Sequence, residues 1–127
     1  MNGTHKVPLK VKPGEPTSEY NSTSLIFHNG SVKVARSGHF YIYSHVPFKS
    51  SSPPSTHTQY VYRVRNGGDQ LLLQNSVYPC VVSTQSCQHS FVAGTFLLEE
   101  DDEISVRVSN HTSIEMEKEL RFGIQRM

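Results

Sequence analysis

Short runs rich in β-branched and aromatic residues recur along this chain, each closed by a turn signal, and helical periodicity is nearly absent. An antiparallel sandwich or barrel leaves this pattern, because alternate side chains of each strand face a core and the turns need Gly, Pro, Asn or Asp. His5–Val11 is the first run, closed by Pro13-Gly14-Glu15-Pro16. Ser24–His28 stops at Asn29-Gly30, a pair that two-residue hairpins favour, and Ser31–Ala35 ends at Ser37-Gly38. Gln59–Val64 turns at Asn66-Gly67-Gly68-Asp69 into Gln70–Tyr78. Ser90–Leu98 runs into five acids, Glu99 to Glu103, and Ile104–Val108 and Leu120–Met127 complete nine or ten strands. Only Ser113–Leu120 could be read as a helical turn, and a strand fits it as well. The expectation is an all-β jelly-roll or Greek-key sandwich of about ten antiparallel strands. It occupies one domain, residues 1–127, of which 1–20 are partly loop-like.

His39–Phe48 is the longest and most aromatic run. Its alternation separates Phe40, Ile42, Ser44 and Val46 from Tyr41, Tyr43, His45 and Pro47. Both faces are largely apolar, and a strand buried on two sides belongs either to a sheet centre or to a subunit interface. Phe40 and Ile42 are the better candidates for the interior. Lys49–Thr58, rich in Ser and Pro, reads as a loop.

Composition points the same way. Apolar residues are 35% of the 127, against roughly 45–50% (a class that also counts Gly) in typical globular chains. A domain this lean is expected to bury part of its apolar surface against another subunit. The formal charge is +1 and no basic stripe stands out, which argues against nucleic acid as a partner. No stretch approaches the roughly 20 apolar residues of a membrane helix, and no charged-then-apolar leader opens the chain. Any exporting or anchoring segment is therefore expected outside it.

Export is supported twice. Glycan-acceptor sequons begin at Asn2, Asn21, Asn29 and Asn110. Cys80 and Cys87 stand between runs that read as strands, so a hairpin-like connection would bring the sulfurs together. Closing so short a loop would stabilise the fold by roughly 2.5 kcal/mol. The other reading is two free thiols in a reducing compartment. The spacing fits no common zinc or redox motif, which favours the disulfide.

Catalytic chemistry finds no footing. His5, His28, His39, His45, His57, His89 and His111 are scattered without metal-ligand spacing, and neither G-x-S-x-G nor a phosphate-cradling glycine loop occurs. The acidic run reads as a solvated turn, since adjacent acids without a spaced Asp/Asn/Gly loop are a poor calcium match. No enzyme activity, metal or cofactor is expected.

Three blocks resemble the tumour necrosis factor (TNF) homology domain. Gly30-Ser31-Val32-Lys33-Val34-Ala35-Arg36-Ser37-Gly38-His39-Phe40-Tyr41-Ile42-Tyr43-Ser44-His45-Val46 is similar to that family's strand, turn and Y-x-I-Y-S-Q-V signature. Ala93-Gly94-Thr95-Phe96-Leu97-Leu98-Glu99-Glu100-Asp101-Asp102 resembles its G-x-x-x-L-x-x-G-D block. Arg121-Phe122-Gly123-Ile124-Gln125-Arg126-Met127 resembles its closing F-F-G-x-x-x-L. Within the family, the placement of Cys80 and Cys87 looks like the branch containing BAFF, APRIL, TWEAK and ectodysplasin.

The resemblance implies a ten-stranded jelly roll and an extracellular cytokine, secreted or carried as the ectodomain of a type II membrane protein. It further implies a homotrimer that binds and clusters cysteine-rich TNF-receptor-type receptors in the clefts between protomers, multivalency supplying avidity. Tyr41, Tyr43, His45, Phe91, Thr95, Arg121, Gln125 and Met127 match positions expected around the threefold axis. Receptor contacts would fall on the loops Lys12–Tyr20, Lys49–Thr58 and Arg65–Asp69, with Asn110–Glu119 as a fourth. Tyr20, Arg63, Arg65 and Asn66 are the candidate contacts. The chain departs from the pattern at Arg121, where an aromatic residue is usual, and at Gln125, where an apolar one is. Asn66 replaces an aromatic or apolar turn tip, and the early Trp of many members is missing. A second reading is a complement-type globular head, a recognition or structural module on the same jelly roll. A third is a carbohydrate-binding sandwich.

Overall fold

A computed structural model describes residues 5–7, 24–28, 31–48, 56–77, 88–109 and 121–127. They form nine strands: β1 His5–Val7, β2 Leu25–His28, β3 Ser31–Val34, β4 Gly38–Phe48, β5 His57–Arg65, β6 Gly68–Val77, β7 Gln88–Leu98, β8 Glu103–Val108 and β9 Arg121–Arg126. All pair antiparallel, in two sheets. One has the order β2-β3-β8-β5-β6, with β1 also on β8; the other is β7-β4-β9. The chain changes sheet between β3 and β4, β4 and β5, β6 and β7, β7 and β8, and β8 and β9. That is the winding of a jelly-roll sandwich.

Alternation decides which side chains meet between the sheets. Phe40, Ile42, Val46 and Phe48 of β4, with Val92, Leu98, Phe122 and Ile124 from its neighbours, are buried against Val32, Val34, Val61, Ile104, Val106 and Val108. The expectation for Phe40 and Ile42 is met. Strand bounds follow the described parts of the sequence runs to within about two residues, including the start of β5, which comes two residues before its run. His57 and Thr58 belong to that strand and are buried, whereas the Ser/Pro composition had placed them in a loop. Position Ser109 closes on Thr58, donating its backbone N–H to the Thr58 carbonyl at 3.0 Å, which draws the segment into the sheet.

Asn66 and Gly67 turn β5 into β6 with φ of 53° and 80°. Two positive φ values mark the turn whose twist suits a hairpin, and Asn-Gly is the pair that tolerates them.

One buried polar side chain ties the layers together. Gln59 of β5 is fully buried, and its Nε2 donates to the carbonyl of Ser44 at 3.2 Å, the carbonyl of Ser90 at 2.8 Å and Ser90 Oγ at 2.9 Å. Asn75 Nδ2 of β6 reaches the same Oγ at 2.8 Å. Gln59→Ala would take this donor from the Ser44 and Ser90 carbonyls in the core, while Ser90 Oγ would keep Asn75. We expect it to lower unfolding stability by about 2–4 kcal/mol, read by denaturant titration, since each buried acceptor left unmade costs about 1–3 kcal/mol.

The acidic run is not uniformly solvated. Asp102 is buried, and Arg65 Nε and Nη2 donate to its two carboxylate oxygens at 2.7 and 2.8 Å. The Glu99 backbone N–H adds a third bond at 2.7 Å. This corrects the reading of the run as a solvated turn for Asp102, while Glu99, Glu100 and Asp101 are exposed. The correction has a physical cause: a guanidinium from the β5–β6 hairpin arrives at the turn and compensates the buried charge.

Candidate interface on the outer face of the short sheet

In β7-β4-β9, the side chains facing away from the core form one continuous surface. Register sets its rows. Tyr41 lies between Thr95 and Gln125, Tyr43 between Ala93 and Gly123, and His45 between Phe91 and Arg121. Leu97 stands opposite His39. Met127 closes the edge, its N–H donating to the His39 carbonyl at 2.9 Å. All eight residues expected around the threefold axis are thus brought together, from three strands, on one face.

This face is apolar for an uncovered surface. Among the described residues, the exposed large apolar side chains are Ile26, Leu71, Phe91, Leu97 and Met127; the last three lie here, with 56, 59 and 73% of their area open. Tyr41 and Tyr43 are half-buried, with ring centroids 6.1 Å apart, and Tyr43 stacks on Phe91 at 6.3 Å. A Cβ at Gly123 would overlap the Tyr43 ring, so the phenol lies across the β9 backbone where that glycine leaves room.

At one end the surface turns polar. His45 and His89 stack at 5.1 Å between centroids, with His89 Nδ1 3.2 Å from His45 Nε2. Burial, then the charges of His89 and of Arg121, hold the His45 pKa below the ordinary imidazole range. Ala93, Leu97, His89 and Gly123 were not singled out from the sequence as parts of this surface. Period-two extension from Phe91 and Arg121 would have found them once the register was known.

The candidate receptor contacts separate. Asn66 is exposed at the tip of its hairpin and Arg63 is partly exposed on β5. Arg65 is held by Asp102, with Glu99 at 3.7 Å as a second partner. Its guanidinium thus serves the fold from a partly exposed position. Tyr20, the loops Lys12–Tyr20 and Asn110–Glu119, Cys80, Cys87, Asn2, Asn21, Asn29 and Asn110 lie outside the described residues, as does all of 49–55. No cluster of three or more metal-ligating side chains occurs among the described residues, nor is any helix long and apolar enough to cross a membrane.

Comparison with known proteins agrees with this architecture. The family model "TNF (Tumour Necrosis Factor) family" matches residues 15–127. The chain is similar to CD40 ligand of Gallus gallus, 30% identical over 110 residues, which are 84% of this chain and 40% of that protein. The chain therefore spans well under half the length of this curated relative. With the jelly roll and a family match over nearly its whole length, the chain belongs to the tumour necrosis factor family.

Proposed function

We propose that this chain is the receptor-binding domain of an extracellular TNF-like cytokine, a single TNF homology domain over residues 1–127, and not an enzyme. It assembles as a homotrimer through the outer face of β7-β4-β9 and gathers cysteine-rich TNF-receptor-type receptors in the clefts between protomers. The observation that carries the reading is the surface just described: Phe91, Leu97 and Met127 exposed beside two half-buried tyrosines on one sheet face. Large aromatic rings each bury roughly 150–250 Å² when covered, so covering this face with sister copies removes the main apolar exposure of the lone subunit. The family match supports the cytokine, and a relative named as the ligand of a receptor supports receptor binding.

Four sequons support an extracellular location, in a secreted form or as the ectodomain of a type II membrane protein. A disulfide between Cys80 and Cys87 fits that setting; the nearer likeness to the BAFF, APRIL, TWEAK and ectodysplasin branch rests on these two cysteines alone. Arg63, Arg65 and Asn66 are the candidate receptor contacts among the described residues, with Tyr20 a further candidate.

Light scattering on the purified domain tests the assembly. A particle of about 43 kDa, three times the 14.3 kDa chain, is expected at micromolar concentration. A species that stays at 14.3 kDa as concentration rises would remove the interface.

A further inference from the structure

We propose that His45 and His89 form a chelating site for a nitrogen-preferring divalent transition ion, of the Zn2+ or Cu2+ kind, on the outer face of β7-β4-β9. The pair comes from two strands, 44 positions apart in sequence, and its facing nitrogens are 3.2 Å apart. Two imidazole nitrogens bound at about 2.0–2.1 Å to one tetrahedral ion stand about 3.3–3.4 Å apart. The strand register therefore brings two imidazoles within reach of the bite such an ion requires.

In the metal-free pair, one ring N–H points at the other ring's lone pair. Metal binding replaces that shared proton, and a turn of the exposed His89 ring lets both lone pairs converge on the ion. Both imidazoles must be neutral to bind the ion, so uptake releases the proton of any ring that is charged beforehand. When Nε2 binds the ion, the proton of His45 resides on Nδ1, which is buried and has no hydrogen-bond partner.

No third protein ligand joins the pair among the described residues, so water or an anion would complete the coordination. Arg121 on β9 is the cross-strand neighbour of His45, and Phe91 is its neighbour on β7. Neither is a ligand. Arg121 repels a bare dication and favours an anion or hydroxide among the remaining ligands, which lowers the net charge of the bound unit. Imidazole selects Zn2+ and Cu2+ over Mg2+ and Ca2+, which prefer oxygen. The site belongs to a single subunit, so it does not depend on the trimer, although assembly would bring three copies of the face together.

The test is a Zn2+ titration of the untagged protein, followed by calorimetry and by the imidazole 15N signals, with light scattering in parallel. One ion per chain is expected, with the nitrogens of His45 and His89 shifting together and Mg2+ without effect. His45→Ala and His89→Ala should each abolish saturable uptake, because a single imidazole cannot chelate the ion, and the exposed His89 tolerates the change without loss of fold. Uptake that survives removal of either imidazole, a shift at one histidine alone, or no saturable uptake would each overturn the site. Because scattering is read separately, loss of the metal site and loss of the trimer are distinguishable outcomes.

Discussion

Tyr43→Asp is expected to convert the proposed trimer to a folded monomer. The ring stands on the outer face of the middle strand, touching Phe91 and lying over Gly123, while the core beneath is filled by Phe40, Ile42 and Val46. Nothing inside the sandwich relies on the phenol, so circular dichroism and the monomer's melting behaviour should change little. At a covered interface, an aspartate must give up its water. The effective penalty is several kcal/mol per ion, and each trimer would carry three. Assembly should weaken by at least about a thousandfold, since each 1.4 kcal/mol is a factor of ten. Scattering would then report 14.3 kDa at concentrations where the parent protein is expected to be trimeric. If the substituted chain unfolds outright, Tyr43 is part of the core; if it stays assembled, the contact lies elsewhere.

The second large effect concerns Asp102. Burial by itself would raise the pKa of this carboxyl. The two Arg65 hydrogen bonds, the Glu99 N–H and the positive charges of Arg65 and Arg63 more than reverse that, holding it below the ordinary aspartate range. A carboxyl depressed on folding stabilises the native state above its unfolded pKa of about 3.9, and that contribution fades as pH falls through the lower folded value. Asp102→Asn keeps the shape but loses the charge and one acceptor. At pH 7 it should lower unfolding stability by about 1–3 kcal/mol. The gap between parent and variant should narrow below about pH 4. Urea titrations at pH 7 and pH 3 check both statements. Equal stabilities at pH 7 would mean that the buried pair contributes nothing net. A gap unchanged at pH 3 would place the acid sensitivity in other groups.

Much of this molecule was legible in its residues, for reasons that differ by element. In β4, period-two alternation assigned Phe40 and Ile42 to the core and the tyrosines to the opposite face, because a strand offers only two sides. Asn66-Gly67 announced its hairpin because few other pairs accept two positive φ values. The three motif blocks located the eight interface candidates, and pairing to β4 placed them on one surface.

What was not legible depended on distance along the chain. Asp102 reads as one more acid in a solvated run until Arg65, 37 positions earlier, is seen to reach it. The same contact gives Arg65 a structural duty beside its candidacy as a receptor contact. Gln59 looks like an ordinary polar strand residue, and only the stacking of two sheets turns its amide into a bridge. The His45–His89 pair is invisible to any local spacing rule, since it exists through the register of β4 on β7.

Gly123 has a consequence of its own. By omitting a single carbon, β9 leaves a shallow seat in which the phenol of Tyr43 reclines instead of standing upright. How far that ring protrudes governs how closely a sister subunit could approach, so the diameter of the assembly would be written by an absence. A methyl group there would act as a wedge, propping up the ring and prising neighbours apart while every strand stayed in place.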